Sequence, residues 1–163
     1  MRVSFILNGE PTEIDVKPED LLVDVLRLRL ELRGARPGCL RGQCGSCTVL
    51  FNGSLAPSCL IPAFRVYGAD VLTIEGLMQS RDYQDIERGF QRAGARPCRF
   101  CAAGKFLSVH ALLETEDEVT PEAIHDAISG VWCRCTTHDR LAKGIRFAAE
   151  HRQRRRRREA LAE

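Results

Sequence analysis

The stretch from Gly38 to Cys47, GCLRGQCGSC, places three cysteines and three glycines within ten residues, and nothing else in the chain constrains its folding as much. Thiols this close must pair or share a ligand, and glycine allows the backbone angles of a loop that wraps a small group. Eight cysteines in 163 residues are compatible with disulfides, structural zinc or iron–sulfur ligation, the first of which needs an oxidising compartment. The opening residues, MRVSFILNGEPTEIDV, have no long apolar core and no small-residue cleavage site, and no apolar run approaches membrane-spanning length. The expectation is a cytoplasmic, reducing setting in which clustered thiols act as ligands.

The first set is Cys39-x4-Cys44-x2-Cys47, with Cys59 after eleven intervening residues. This is the spacing with which plant-type ferredoxins hold a 2Fe-2S cluster. Such a loop wraps an anionic group and turns its N–H groups toward sulfur, and Gly38, Gly42 and Gly45 are the candidates for the backbone angles required. Zinc sites usually pair two short knuckles, which this triplet with one distant cysteine fits poorly. The second set, Cys98-x2-Cys101 and Cys133-x-Cys135, is less specific: two pairs about thirty residues apart suit zinc as well as a cluster, and spacing leaves the choice open. Both pairs fall at joints between predicted helices, where helix N-termini and loop amides face a bound anion. A Rieske centre is not indicated, because no histidine lies two residues after a cysteine in these loops.

RVSFIL, Asn8-Gly9 and PTEIDV read as a β-hairpin, since Asn-Gly takes the positive φ angles of a tight turn. A helix is expected next: Pro18 suits its first turn, Glu19 and Asp20 its positive end, and Gly34 a stop. LRLRLEL, however, alternates with period two and on pattern alone allows a strand. CTVLF and Asn52-Gly53 open a second hairpin, and DVLTIE reads as a further strand, giving a mixed sheet with one helix. From Gly76 onward, segments near 83–94, 104–114, 121–129 and 139–157 have helical spacing, with Thr120 as an N-cap before Pro121 and Glu122. The expected class is α+β, a sheet domain over 1–76 followed by a helical bundle over 77–163.

The net charge of +2 hides an asymmetry, with +4 on residues 151–163 and −2 on the rest. A nearly neutral body gives no reason to expect a nucleic-acid surface. The arginine run reads as a solvated helix end or frayed tail, with contact to an acidic partner as second choice. His110 and His125 read as surface or satisfied core histidines, and His138 stands where it could hydrogen-bond a cluster sulfur. Trp132 is expected to pack the cluster loop and keep water from it.

Taken together, the two sets resemble the small iron–sulfur subunit of the molybdenum hydroxylases, the family that includes xanthine dehydrogenase, aerobic carbon monoxide dehydrogenase and 4-hydroxybenzoyl-CoA reductase. The similarity runs from the first hairpin to about Ala149. GCLRGQCGSCTVLFNG is similar to the family's first-cluster loop, SCL at 58–60 to its fourth ligand and VLTIEGL to its domain junction. CRFC and SGVWCRC resemble its second-cluster ligands. The resemblance implies a ferredoxin-like β-grasp domain and a helical domain, each with one 2Fe-2S cluster, held by Cys39, Cys44, Cys47 and Cys59 and by Cys98, Cys101, Cys133 and Cys135. It implies a chain that transfers electrons within an oxidoreductase and has no catalytic residue of its own. Its partners would be a large molybdopterin-binding subunit, which gives up electrons, and a medium FAD-binding subunit, which takes them, in a dimer of heterotrimers. Two readings compete with it: a free-standing two-cluster carrier, and membership of a complex that lacks molybdopterin.

Departures from the family pattern concentrate in one place. Pro97 stands where a glutamine usually contacts the pterin, and it offers no side-chain hydrogen bond. Arg99 replaces the glycine between the two cysteines, Ala102-Ala103 replaces Thr-Pro, Lys105 replaces methionine, and Thr137-His138 follows CRCT in place of Gly-Tyr. The favoured reading is that Arg99 and Lys105 meet an anionic pterin phosphate or nucleotide extension presented by the large subunit.

Overall fold

The computed structural model describes residues 1–116 and 118–162. Strands β1 (Arg2–Leu7) and β2 (Glu10–Asp15) pair antiparallel about Asn8-Gly9, whose φ angles are both positive, as a two-residue hairpin loop requires. Alternation along β1 sends Val3, Phe5 and Leu7 inward. A short helix, α1 (Leu22–Asp24), continues as a single π turn over Val25–Arg29. Its Leu22, Val25 and Leu26 pack with Val3, Phe5, Val49 and Val71 as the core of this half. Strands β3 (Thr48–Phe51) and β4 (Ser54–Pro57) form the second hairpin, and β5 (Asp70–Leu72) lies parallel to β1 and antiparallel to β3. The sheet order is β2-β1-β5-β3-β4.

The first helix is shorter than the sequence suggests. Pro18 lies before it in a turn closed by Asp20, whose carboxylate accepts the Lys17 N–H at 2.8 Å. It stops at Leu30 rather than Gly34, and Glu31 turns away with φ +57°. The period-two run leaves Leu28 exposed, so a longer helix would have no apolar stripe to bury. Gly34 serves a packing role instead, since a Cβ there would overlap the Ile74 side chain. The strand over DVLTIE likewise ends at Leu72, and a one-turn helix, α2 (Ile74–Leu77), follows. The turn is made at Thr73, whose N–H donates to Asn8 Oδ1 at 2.8 Å and whose hydroxyl donates to Glu75 Oε2 at 2.7 Å. Gly34 N–H donates to the other oxygen of Glu75 at 2.7 Å, so the junction is tied to the first hairpin and to the loop after α1.

Helices α3 (Arg81–Ala93), α4 (Ala102–Thr115), α5 (Pro121–Ser129) and α6 (His138–Ala160) make the second half. The hydroxyls of Ser80, Thr120 and Thr137 accept N–H groups at the starts of α3, α5 and α6, each such cap contributing about 1 kcal/mol. Ile86, Phe90, Leu107, Ile124 and Ile145 fill its core, and Phe106 stacks on Tyr83 at 4.7 Å and meets Phe90 edge-on at 5.1 Å. Helices α3 and α6 approach closely at Gly89, where a Cβ would lie 2.9 Å from Ala148 Cα. No helix among the described residues is long and apolar enough to cross a membrane.

The arginine run is not a frayed tail. Positions 141, 145, 148, 152 and 155 share one face of α6 by helical spacing, so Arg152 and Arg155 continue the stripe begun by Leu141, Ile145 and Ala148. Arg152 is 4% exposed and donates to the Leu113 carbonyl and the Glu114 carboxylate. Arg155 binds the buried Asp85 at 2.7 Å and also reaches Asp82. Arg154, Arg157 and Arg158 face solvent. Replacing Arg155 with alanine strands the Asp85 carboxylate, and the expected cost is on the order of 3 kcal/mol. Arg157→Ala should stay within about 0.5 kcal/mol of the parent, the two being compared by denaturant midpoints.

Candidate metal centres

The loop from Gly38 to Cys47 turns its amides toward one sulfur. Cys39 Sγ accepts the N–H groups of Arg41 (3.4 Å), Gln43 (3.2 Å) and Cys44 (3.4 Å). These N–H groups, that of Arg41 foremost, hold the Cys39 thiol down at about 6. Three residues give the loop its curvature: Gly42 and Gly45, with φ +71° and +69°, and Leu40 at +55°. Leu40 was not legible as such, because a leucine carries no signal for that angle. Gly38 has no positive φ, contrary to expectation. Its value is space, since a Cβ there would lie 2.9 Å from Cys44 Sγ and 2.8 Å from Ser46 Oγ. Ser58 closes the set by donating its N–H (3.2 Å) and hydroxyl (2.7 Å) to the Cys47 carbonyl, which seats Cys59 beside Cys47. Both are buried against Val23 and Leu21, and burial pushes the Cys47 thiol up to about 11.

The second set assembles where three helices meet. Cys101 caps α4, and Cys133 and Cys135 occupy the connection from α5 to α6. Cys101 Sγ lies 3.3 Å from Cys133 Sγ and 3.7 Å from Cys98 Sγ, and the sulfurs of Cys98, Cys101 and Cys135 lie within 4.8 Å of one another. Sulfurs sharing a tetrahedral metal at ~2.3 Å stand about 3.8 Å apart, whereas a disulfide requires about 2.05 Å. All eight cysteines are free thiols, and the spacing within this second set suits a shared ligand. Cys135 N–H donates to Cys133 Sγ at 3.4 Å, while the next hydroxyl, Thr136 Oγ1, is buried without a hydrogen-bond partner. An unpaired buried hydroxyl beside four converging sulfurs fits a bound sulfur-containing group. Burial raises the Cys101 thiol, whereas main-chain N–H groups, that of Cys101 first, lower Cys98 to about 7.

The two sets touch. Trp132 N–H donates to the Cys44 carbonyl at 2.9 Å, so a cysteine of the first set is hydrogen-bonded to the residue beside Cys133 of the second. The contact depends on missing side chains: a Cβ on Gly45 would overlap the Gly130 carbonyl and stand 2.8 Å from Val131 Cα, and one on Gly104 would overlap the Gly45 carbonyl. Gly104 belongs to α4, and its part in this contact was not legible in the sequence.

Other expected site residues lie elsewhere than supposed. The Trp132 side chain is 65% exposed, so it does not shield the loop within this chain; its backbone makes the contact. Arg99 is exposed and free to meet a partner. Lys105 is 3% exposed and donates to the Ile128 carbonyl, so it cannot meet a cofactor across the surface. His138 Nε2 faces His125 Nδ1 at 3.2 Å and not a sulfur. His110 is packed near Asp82 with its Nδ1 unpaired. Asp82, His110 and Glu114 converge, but Arg152 and Arg155 already hold those carboxylates.

Comparison with known proteins bears on both sets. A family described as "2Fe-2S iron-sulfur cluster binding domain" matches residues 5–64, and one described as "[2Fe-2S] binding domain" matches 73–146. The small FeS subunit of nicotinate dehydrogenase from Eubacterium barkeri is 34% identical over 91% of this chain and 94% of its own. The alpha chain of isoquinoline 1-oxidoreductase from Brevundimonas diminuta is 36% identical over 91% of this chain and 97% of its own. The solved structure of quinoline 2-oxidoreductase from Pseudomonas putida 86 superposes with a TM-score of 0.86 at 34% identity, covering 94% of this chain and 96% of the matched one. Aldehyde oxidoreductase from Desulfovibrio gigas gives 0.81 at 32% identity, covering 91% of this chain and 17% of that longer one.

Gly45→Ala should separate the two sets. The positive φ alone costs about 1–2 kcal/mol, and the overlap with Gly130 adds to it. Gly53→Ala shares the strain, at φ +78°, but has nothing within 4 Å of its Cβ. Denaturant unfolding is expected to show the larger loss in the Gly45 variant.

Proposed function

The chain belongs to the small iron–sulfur subunits of the molybdenum hydroxylases, and from that premise we propose how its own residues carry out electron transfer within such an oxidoreductase. The ligands would be Cys39, Cys44, Cys47 and Cys59 in one centre and Cys98, Cys101, Cys133 and Cys135 in the other. When bound, each 2Fe-2S group supplies one-electron redox chemistry. The observation that carries the reading is the hydrogen bond from Trp132 N–H to the Cys44 carbonyl, which joins a ligand of one set to the immediate neighbour of a ligand of the other.

The chain's work in this reading is to hold, insulate and tune. Loop amides aimed at Cys39 offset negative charge on sulfur and thereby favour reduction. Burial of Cys44, Cys47 and Cys59 keeps water from the first centre. Division into units of 1–76 and 77–163 is supported by two apolar cores, one drawn from residues between Val3 and Val71 and the other mainly from the helices, to which the sheet half adds Leu50 and Ile74.

The finer assembly follows the same reading. A large molybdopterin-binding subunit would dock over the exposed Cys98 and Cys135, where Phe100 and Trp132 are also exposed and aromatic side chains favour an interface. Arg99 on that face would meet an anionic group of the cofactor, in place of the side-chain contact that Pro97 cannot make. The proposed complex is completed by a medium FAD-binding subunit, within a dimer of heterotrimers. Its setting would be the cytoplasm, where eight free thiols persist. Relatives of similar identity are named for nicotinate, isoquinoline and aldehyde, which supports leaving substrate selection to the large subunit.

Metal analysis and electron paramagnetic resonance of the complex purified from its source test this. The expected result is a red-brown protein with about four irons per chain and two paramagnetic centres on full reduction, together with molybdenum and flavin. A colourless zinc protein, or a single centre at full occupancy, refutes the cluster assignment. Abundant iron without molybdenum or tungsten refutes the proposed partner.

A further inference from the structure

Lys105 is a buried cation without a carboxylate. It is 3% exposed, and among the described residues no carboxylate oxygen lies within 4 Å of its ammonium nitrogen. Its single protein acceptor among the described residues is the Ile128 carbonyl, at the C-terminal end of α5. That carbonyl also receives the N–H groups of Gly130 and Val131. A helix C-terminus carries partial negative charge, but a fraction of one charge does not balance a full ammonium withdrawn from water. The other groups whose negative charge acts on it are Cys101, one turn back at the N-cap of α4, and Cys133, on the connection after α5, both of which are thiolates when they ligate a metal. Burial pushes the Lys105 ammonium down, while Cys133 and Cys101 act in the opposite direction.

We propose that Lys105 is the buried counter-charge of the helical-domain centre: it raises that centre's reduction potential, and its charge is matched only when the centre is filled. This rests on the cluster assignment above. A four-thiolate 2Fe-2S centre becomes more negative on reduction, so a fixed cation inside the same low-dielectric region stabilises the reduced form more than the oxidised one. The effect is greatest at the helical-domain centre, because Cys101 and Cys133 are the cysteines whose charge acts on Lys105. The first centre is wrapped by its own loop and faces amides rather than an ammonium. The same argument ties folding to occupancy, because without the centre the ammonium loses most of its compensating charge, and the packing of α4 against α5 must loosen to admit water.

The residue resembles methionine in length, so Lys105→Met removes charge with little change in volume, and Lys105→Gln keeps a donor for Ile128 while removing charge. Redox titration of the complex, followed by electron paramagnetic resonance, gives a midpoint for each centre, and Cys135→Ser identifies the helical-domain signal by altering it. Both neutral variants should shift that midpoint to more negative potential and shift the other by clearly less. Equal shifts of both signals, or no shift with both centres present, overturn the proposal. Hydrogen exchange on the full chain stripped of metal gives an independent readout: residues 102–109 and 124–131 should be better protected in the methionine variant than in the parent. Equal or weaker protection in the variant overturns it as well. Failure of the parent chain to show two centres would instead refute the cluster assignment, and the two failures are thereby distinguished.

Discussion

The close approach of Gly45 to Gly104, Gly130 and Val131 is the contact on which the rest depends. The loop that carries three sulfurs of the first set meets α4 and the α5–α6 connection, which carry those of the second, only because Gly45 and Gly104 have no side chain at the crossing. A hydrogen bond then fixes the register, with Trp132 N–H on the Cys44 carbonyl. Any Cβ at position 45 would push the helical connection away and lengthen the path between the two sets. Steric absence, rather than an added attraction, sets the distance that a conducting chain must keep constant.

Behind that crossing, two different devices hold the frame. The junction between the halves is polar, with Asn8, Thr73 and Glu75 exchanging hydrogen bonds with one another and with Gly34, so the first hairpin registers the start of the helical half. The far side is fastened by charge. Arg152 and Arg155 extend the apolar stripe of α6 and satisfy Asp82, Asp85 and Glu114. Pairs this buried gain from specificity as much as from stability, because a lone partner is costly to leave behind. Lys105 breaks the pattern. It is the buried cation whose balancing charge comes from ligand sulfur rather than from a carboxylate, which places it in the electrostatics of the centre and outside the scaffold.

Much of the fold could be read from local signals. Asn8-Gly9 and Asn52-Gly53 announce both hairpins, since few pairs take two positive φ angles so readily. Thr120 before Pro121 marks the start of α5, and helical spacing finds all four long helices to within a few residues. The two misreadings have different causes. Pro18, Glu19, Asp20 and Gly34 suggested a longer helix than the period-two run LRLRLEL supports, since that run leaves Leu28 exposed. DVLTIE suggested a strand beyond the point where Asn8 captures Thr73, a contact from another segment that no window on the sequence contains.

The sequence alone pointed to the ligand chemistry of the first set, because the spacing of cysteines and glycines in a loop is a local property and limits what the loop can wrap; for the second set, split between two segments, spacing left zinc and a cluster open. The sequence also settled the α+β order, for the same local reason. Only the tertiary structure decided which way Lys105 points, why Gly45 and Gly104 must be glycine, and that two arginines in a run of like charge are interior. Those outcomes depend on which distant surface each residue meets, and burial changes the worth of a charge or a methyl group far more than its position along the chain does.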